Sequence, residues 1–398
     1  MTLNAIIAGG GAGGATLALA LHRIGVEATV FERDSGPTTD EGHLLSVGSN
    51  ALDALLAIGI EPDGIPVPKL PSYTGSGKYL GAMYNGAASD SAPTSLLICR
   101  NTLQEKLRDL CAERGIEIVY GKELESCKVT DSGATAVFTD GSTAEGDILV
   151  GADGVHSAVR RALFPQATDA SYTGVLGLGG RSLPGTLEPT PETVVASFGY
   201  EGHFSYHVEA DRSVQWLAFA PREEPVGPGD TTGAEEWKRW LLDVYGRDMP
   251  AVREVIGNAT GPIDVRLMER LPKPPGRYRD RAVLIGDACA MTGRIGAGTA
   301  MAMEDAVVLA KCLRDVPEPA AALAAYEALR TPRVDKVVKW GQMNAKPVKV
   351  RTPWGMHLRD IFGPLVLKWL PSVASMDWLY GHHIDWNETV RPSGTGRP

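Results

Sequence analysis

The stretch Asn4–Asp34, NAIIAGGGAGGATLALALHRIGVEATVFERD, constrains this chain more than any other. An apolar run, Ala5-Ile6-Ile7-Ala8, enters a glycine cluster, an Ala/Leu segment follows at helical spacing, Gly25 stops it, and Ala28-Thr29-Val30-Phe31 delivers Glu32. Strand, tight turn, helix and second strand within about 30 residues make one βαβ unit. The glycines at 9, 11 and 14 fit G-x-G-x-x-G, and each has a physical task. Gly9 can take the backbone angles of a sharp turn, Gly11 lets main chain approach a pyrophosphate, and Gly14 lets the helix press on the strands. The helix start, Ala12-Gly13-Gly14, offers free N–H groups and the positive end of a dipole to phosphates. Glu32, about 20 residues on, is placed to accept hydrogen bonds from an adenosine ribose, and its charge repels a 2′-phosphate. Arg33 beside it reads as a solvated strand-end residue at the edge of the same site. A strand before, a helix after and an acid at the next strand end turn a weak motif into a dinucleotide site, with FAD and NAD both open.

At 398 residues the chain exceeds one typical core, so two packed domains are expected. A net charge of −9 argues against nucleic acid, whose recognition wants a basic face. The five cysteines (99, 111, 127, 289 and 312) are scattered without C-x-x-C spacing, which reads as small core residues in a reducing cytoplasm. They suggest neither a disulfide frame nor a metal site. No uncharged run reaches about 18 residues, so no membrane span is expected, and the first strand begins too early for a signal peptide. A cytoplasmic globular protein is the expectation; monomer and homodimer both stay open.

Further along, Ser49–Leu56 reads as a short helix ending at Gly59, and 61–96, rich in Pro, Gly and Ser, as loops and edge strands. Leu96–Leu110 returns to regular structure, with Arg100-Asn101-Thr102-Leu103 opening a helix. Glu117–Tyr120 is a strand, a hairpin is expected around Asp140-Gly141, and Asp147–Gly154 is a buried strand running into a turn. From about Tyr172 to Pro221 the runs Val194–Phe198, Phe204–Val208 and Val214–Ala220 suggest an antiparallel sheet. Ala282–Ile285 is another buried strand ending in Gly286-Asp287; Ala300–Leu313 and Ala320–Trp340 are long helices; and an apolar segment, Ile361–Leu379, closes the chain.

Three ordered segments together resemble the FAD-dependent aromatic hydroxylases, the single-component flavoprotein monooxygenases of the p-hydroxybenzoate hydroxylase type. The first carries Gly9, Gly11, Gly14, Ala18, Leu21, Gly25 and Glu32; the second is Asp147–Gly154 with Ser157 and Arg160. The third is Ala282–Ala288, followed by Gly296-Ala297-Gly298 and Met303-Glu304-Asp305-Ala306. Arg100-x-x-Leu103-x-x-x-Leu107, Tyr326-x-x-x-Arg330-x-Pro332-Arg333 and Trp378–Gly381 add smaller matches, so the resemblance spans about 1–385. It implies an α/β fold: a Rossmann-like FAD-binding domain (1–70, 97–170 and 276–345), an inserted antiparallel-sheet substrate domain (71–96 and 171–275) and a C-terminal helical segment (346–398). It also implies FAD with adenosine on Glu32, pyrophosphate over Ala12-Gly13-Gly14, ribityl hydroxyls on Asp287, Arg100 along the same stretch, and backbone near Leu124 flanking the adenine. The helix from Gly298-Thr299 would point its N-terminus at the flavin, where it stabilises the anionic reduced form. Asp153-Gly154 serves FAD and a nicotinamide cofactor in such enzymes, and is otherwise a tight turn joining strand to helix.

One segment departs from the family pattern. Where a His, a Pro and Gly-Gln-Gly usually stand, this chain has Ala290, Gly293 or Arg294, and Gly296-Ala297-Gly298, in a stretch one residue short. Flavin binding depends on backbone amides and Asp287 and is expected to persist, whereas oxygen activation beside that loop is put in question. The implied reaction is hydroxylation of an aromatic or polycyclic compound: NADH or NADPH reduces FAD, O₂ adds at the flavin C4a, and the hydroperoxide passes its distal oxygen to substrate. His203, Tyr206, His207 and Gln215 lie on the expected substrate sheet and could orient a phenol, although a sheet His is usually structural. Two alternatives stay open. One is a cyclase or isomerase that keeps FAD without net redox; the other is a two-component enzyme fed by a separate flavin reductase.

Overall fold

In the computed structural model, residues 3–37, 44–87, 89, 92–227, 230–291, 296–344 and 376–391 are described. The chain begins β1 (Asn4–Ala8), α1 (Ala12–Arg23), β2 (Glu27–Glu32), β3 (Leu44–Val47), α2 (Ser49–Ala57), β4 (Ile65–Pro66), β5 (Lys69–Thr74) and β6 (Tyr79–Tyr84). It returns through β7 (Leu96–Cys99), α3 (Arg100–Glu113), β8 (Glu117–Tyr120), β9 (Leu124–Val129), β10 (Ala134–Phe138), β11 (Thr143–Gly146), β12 (Ile148–Gly151) and α4 (Ala158–Leu163). Next come β13 (Ser171–Ser182), β14 (Val195–Phe198), β15 (His203–Val208), β16 (Val214–Pro221), α5 (Ala234–Val244), α6 (Pro250–Gly257) and β17 (Ala259–Arg270). β18 (Tyr278–Arg279), β19 (Ala282–Leu284), a single 3-10 turn (Gly286–Ala288), α7 (Gly298–Asp315), α8 (Pro319–Asn344) and α9 (Asp377–Tyr380) complete it.

A six-stranded sheet runs β18-β19-β12-β1-β2-β8, parallel except at β18. Its central strands are largely apolar because both faces are covered, one by α1, α3 and α7 and the other by α4 and the small sheet β11-β10-β9, leaving no solvated side to demand alternation. α1 packs on α7 and α3 through Leu17, Leu21, Leu103, Leu107 and Met303, all buried.

The second sheet has seven strands in the order β17-β13-β16-β15-β14-β5-β6, with β14 and β5 its one parallel pair. The pleat divides its residues between two faces. Leu176, Leu178, Phe204, Tyr206, Val208 and Trp216 pack with Trp237, Leu241, Tyr245 and Val255 of α5 and α6. Gly180 lies opposite Trp216, where a Cβ would meet the indole at 2.8 Å, so the glycine is what admits the largest buried ring. His203, Ser205, His207, Gln215, Leu217 and Phe219 alternate with these residues and occupy the other face.

The apolar segment 361–379, like most of the expected C-terminal helical segment 346–398, lies largely outside the described residues; of 376–391 only Asp377–Tyr380 is helical. That segment is tied back by backbone acceptors: Arg333 donates to Trp378 and Leu379 at 2.6 and 2.7 Å, and Lys311 to Asp385. No helix among the described residues is long and apolar enough to cross a membrane.

Candidate cofactor groove and active site

A cavity of about 490 Å³ opens where β1, β2, β12 and β19 end. β1 stands between β2 and β12, so this is the switch point of the sheet, where open α/β folds leave a crevice. Gly9, with φ +101°, makes the sharp turn; a Cβ there would lie 2.4 Å from the Ala152 carbonyl oxygen. A Cβ on Gly14 would lie 1.9 Å from the Gly9 oxygen, so Gly14 is a packing position behind the groove and not part of its lining. Gly11 does line it, and a Cβ there would have nothing nearer than Gln104 Nε2 at 4.0 Å. Ala12 and Gly13 continue the wall at the start of α1, where the amides are free of side-chain caps.

At one end stands Glu32, only 6% exposed. Its Oε2 accepts from the Gly10 N–H at 2.6 Å and its Oε1 from the Asp34 N–H at 3.0 Å. The carboxylate is thus fixed by backbone before any ligand arrives. Arg33 is exposed on the rim, and Leu124, at the start of β9, forms an apolar patch beside it.

At the other end Gly286, with φ +57°, donates its N–H to Asp305 at 2.9 Å, which fixes the turn that presents Asp287. Burial pushes the Asp287 carboxyl up to about 6, against the pull of the neighbouring Arg100. Arg100, first residue of α3, is itself lowered to about 10, by burial and then by Arg266. Gly298 and Thr299 line this end from the first turn of the 18-residue α7, where the dipole favours negative charge. Gly296 and Ala297, expected to belong with them, are not among the lining residues; Ala297 is buried against Met301 and Leu379. The altered positions 293 and 294 fall outside the described residues.

Asp153 lines the groove, and its Oδ2 accepts from the amides of Ala158 and Val159 at 2.7 and 3.2 Å. It therefore caps α4 as well as facing the cavity, and burial raises its pKa. Its Oδ1 is buried without a hydrogen-bond partner among the described residues.

Behind the Asp287 turn is a buried ionic cluster. Arg330 bridges Glu304 at 2.8 Å and Asp305 at 2.6 Å; Arg333 and Asn50 also hold Glu304, at 2.9 and 2.6 Å. Burial alone would raise the Glu304 carboxyl, but Arg330 and Arg333 bring it down to about 2. The Met-Glu-Asp-Ala stretch and the late Arg-x-Pro-Arg thus meet in space and brace α7 against α8.

The four substrate candidates do not share a face. Tyr206 points into the α5/α6 core, 5% exposed, with its hydroxyl pushed up to about 12 by burial. His203, His207 and Gln215 lie on the opposite face. His207 is held by the Thr193 carbonyl oxygen at 2.9 Å and sits 3.6 Å from Glu209. Gln215 accepts from the Cys99 thiol at 3.2 Å and donates to Glu209 at 2.8 Å. His203 contacts the rings of Phe198 and Phe219, at 5.1 and 6.3 Å between centroids. Arg266, Gly177, Phe219, His203 and Phe198 form one register row across five strands, and Arg266 also lines the cofactor groove.

Sequence reasoning missed Gln104, Arg108 and Arg266 in the lining. For the first two a signal existed: Arg100, Gln104 and Arg108 recur every four residues, one face of a helix. Arg266 carried none.

The donor set fits FAD. A fixed carboxylate suits ribose hydroxyls, free helix amides and a turn that excludes Cβ suit a pyrophosphate, and a second carboxylate with a cationic neighbour suits a polyol arm. The description "FAD binding domain" belongs to the family model that matches residues 2–341. A monooxygenase/isomerase of aurachin C from Stigmatella aurantiaca is 31% identical over 84% of this chain and 87% of its own length. The zeaxanthin epoxidase of Oryza sativa subsp. japonica is 33% identical over 77% of this chain, but the chain spans only 48% of that protein. The crystal structure of Klebsiella pneumoniae HpxO complexed with FAD and uric acid shares the fold, with a TM-score of 0.76 at 24% identity over 92% of this chain and 95% of that one. By the extent of the family match and the geometry of its groove, this chain belongs to the FAD binding domain family and is an FAD-dependent monooxygenase of the hydroxylase type.

Proposed function

We propose that the chain uses NADH or NADPH and O₂ to hydroxylate an electron-rich aromatic or polycyclic small molecule. The observation that supports this reading most directly is the register row Arg266–Gly177–Phe219–His203–Phe198, a strip that runs from the cofactor groove to the aromatic side chains of Phe219, His203 and Phe198 on the second sheet. A planar substrate lying on that strip is within the reach of chemistry at the flavin end of the groove. FAD, when bound, supplies the redox chemistry that activates O₂.

The protein's part is to bind and orient. Glu32 and the α1 amides anchor the nucleotide half, Asp287 and Arg100 the polyol, and the start of α7 favours the electron-rich state of the ring system. On the strip, Phe219 and His203 present ring faces and edges to an aromatic guest, while Gly177 makes room for the Met268 side chain, whose methyl would lie 2.9 Å from a Cβ there. Gln215, already bound to Cys99 and Glu209, offers a fixed amide at the next row but one.

The name of the Stigmatella relative supports a second reading, in which rearrangement accompanies or replaces oxygenation. Anaerobic addition of NADH and of NADPH to the purified FAD-loaded chain separates the cases. Bleaching of the flavin absorbance by one of them supports the first. A spectrum that stays oxidised refutes it for the lone chain: recovery of oxygenation with an added flavin reductase then marks a two-component enzyme, and turnover without reductant or O₂ marks the isomerase.

A further inference from the structure

Arg108 belongs to none of the motifs that place the cofactor, yet it is the buried cation nearest the adenosine end of the groove. It is third in the stripe Arg100, Gln104, Arg108, which runs about 12 Å along α3 beside the whole first turn. Arg100 faces Asp287 and Gln104 lies beside Gly11, which leaves Arg108 at Gly10 and Glu32. Its Nε donates to the Gly10 carbonyl at 2.9 Å, and its Nη2 reaches Glu32 Oε2 at 3.5 Å. The same Oε2 accepts the Gly10 N–H at 2.6 Å. Both polar ends of residue 10 are therefore held, one by Arg108 and the other by the carboxylate that Arg108 neutralises. Arg108 is itself 6% exposed, with its guanidinium carbon 5.8 Å from the ring centre of Tyr120.

We propose that Arg108 is a positioning residue that makes this groove select a flavin with an adenosine diphosphate arm over one that ends at its phosphate. Gly10 lies between the two glycines of the turn and has no side chain to restrict its rotation, so its geometry depends on those two hydrogen bonds. Glu32 is buried, and without Arg108 it would lose the one ion-pair partner it has among the described residues. Both consequences fall on the adenosine half. The flavin half is served by Arg100, Asp287 and the start of α7, none of which Arg108 contacts. Loss of Arg108 should therefore weaken the two halves of the ligand unequally, which a merely structural role would not do. This inference rests on FAD as the resident cofactor.

The test titrates the flavin-free protein separately with FAD, FMN and ADP, following flavin fluorescence for the first two and heat for the third. In Arg108→Met the Kd for FAD and for ADP should rise about 10- to 100-fold, while the Kd for FMN stays within about threefold. Arg108→Lys keeps the charge beside Glu32 but loses the forked donor, and is expected to fall between; it serves as the variant if Arg108→Met does not fold. In the double variant with Glu32→Gln, ADP should bind no more than about threefold worse than to the weaker single variant, because both act through one site. Equal weakening of FAD and FMN, unchanged ADP binding in a variant that melts normally, or multiplicative effects in the double variant would overturn the proposal. A native chain that takes up no FAD would instead overturn the functional reading beneath it.

Discussion

Asp287→Asn should stabilise the flavin-free protein while weakening its hold on FAD. The Asp287 carboxyl titrates near 6 in the folded chain against an ordinary 3.8, because burial outweighs the attraction of Arg100. The sign follows from proton binding: the folded state holds this proton more tightly than the unfolded state, so the group costs nothing below pH 3.8. Its cost grows as pH rises through the interval and is complete above 6. The gap corresponds to about 3 kcal/mol at pH 7.5 and to roughly half of that at pH 5. An amide of nearly the same shape removes the titration, though it also takes from Arg100 one of its acidic neighbours, Asp264 and Asp34 remaining, so the gain should be somewhat under about 3 kcal/mol. The assay is urea unfolding of flavin-free native and variant chains at pH 5 and 7.5, reading only the difference between them. The variant should be the more stable at pH 7.5, with its advantage shrinking by about 1 kcal/mol or more at pH 5. FAD affinity should fall, because a carboxylate acceptor for hydroxyl groups has been lost. A variant less stable than the native chain at pH 7.5, or an advantage that does not change with pH, would refute the reasoning.

The two fingerprint glycines should fail in different ways. Gly14→Ala drives a methyl to within 1.9 Å of the Gly9 oxygen and should cost several kcal/mol of stability, seen as a large drop in melting temperature. Gly11→Ala should melt like the native chain but retain little flavin, because its methyl enters the groove. Arg330→Met leaves Glu304 and Asp305 without their best cation and should cost about 3–5 kcal/mol, measured by denaturant unfolding. Tyr206→Phe, on the helix-covered face, should leave the substrate KM unchanged, whereas Phe219→Ala on the aromatic strip should raise it about tenfold or more. The opposite ranking would move the substrate off that face.

The first βαβ unit and the Gly286-Asp287 turn were legible because what they do is local. A glycine that must adopt positive φ, an acid at a strand end and a helix start each act through atoms within a few residues. The second sheet was legible as strands but not as a surface. Tyr206 and His207, adjacent on β15, point to opposite faces and so cannot share one pocket. The alternation of Phe204, Tyr206 and Val208 with His203, Ser205 and His207 was already in the sequence; what was missing was which face the helices α5 and α6 would cover. Arg108 and Arg266 failed for a different reason. Their roles exist only after α3 has packed beside the first turn and β17 has brought a strand from the second sheet to the groove mouth. A charged residue on a helix or strand reads as solvated surface until a distant partner takes it out of water. The desolvation cost of Arg108 is offset in part by Glu32 and the Gly10 carbonyl, which are already fixed beside it. Residues that a folded chain buries at such cost against its motifs are therefore the ones the motifs themselves cannot name.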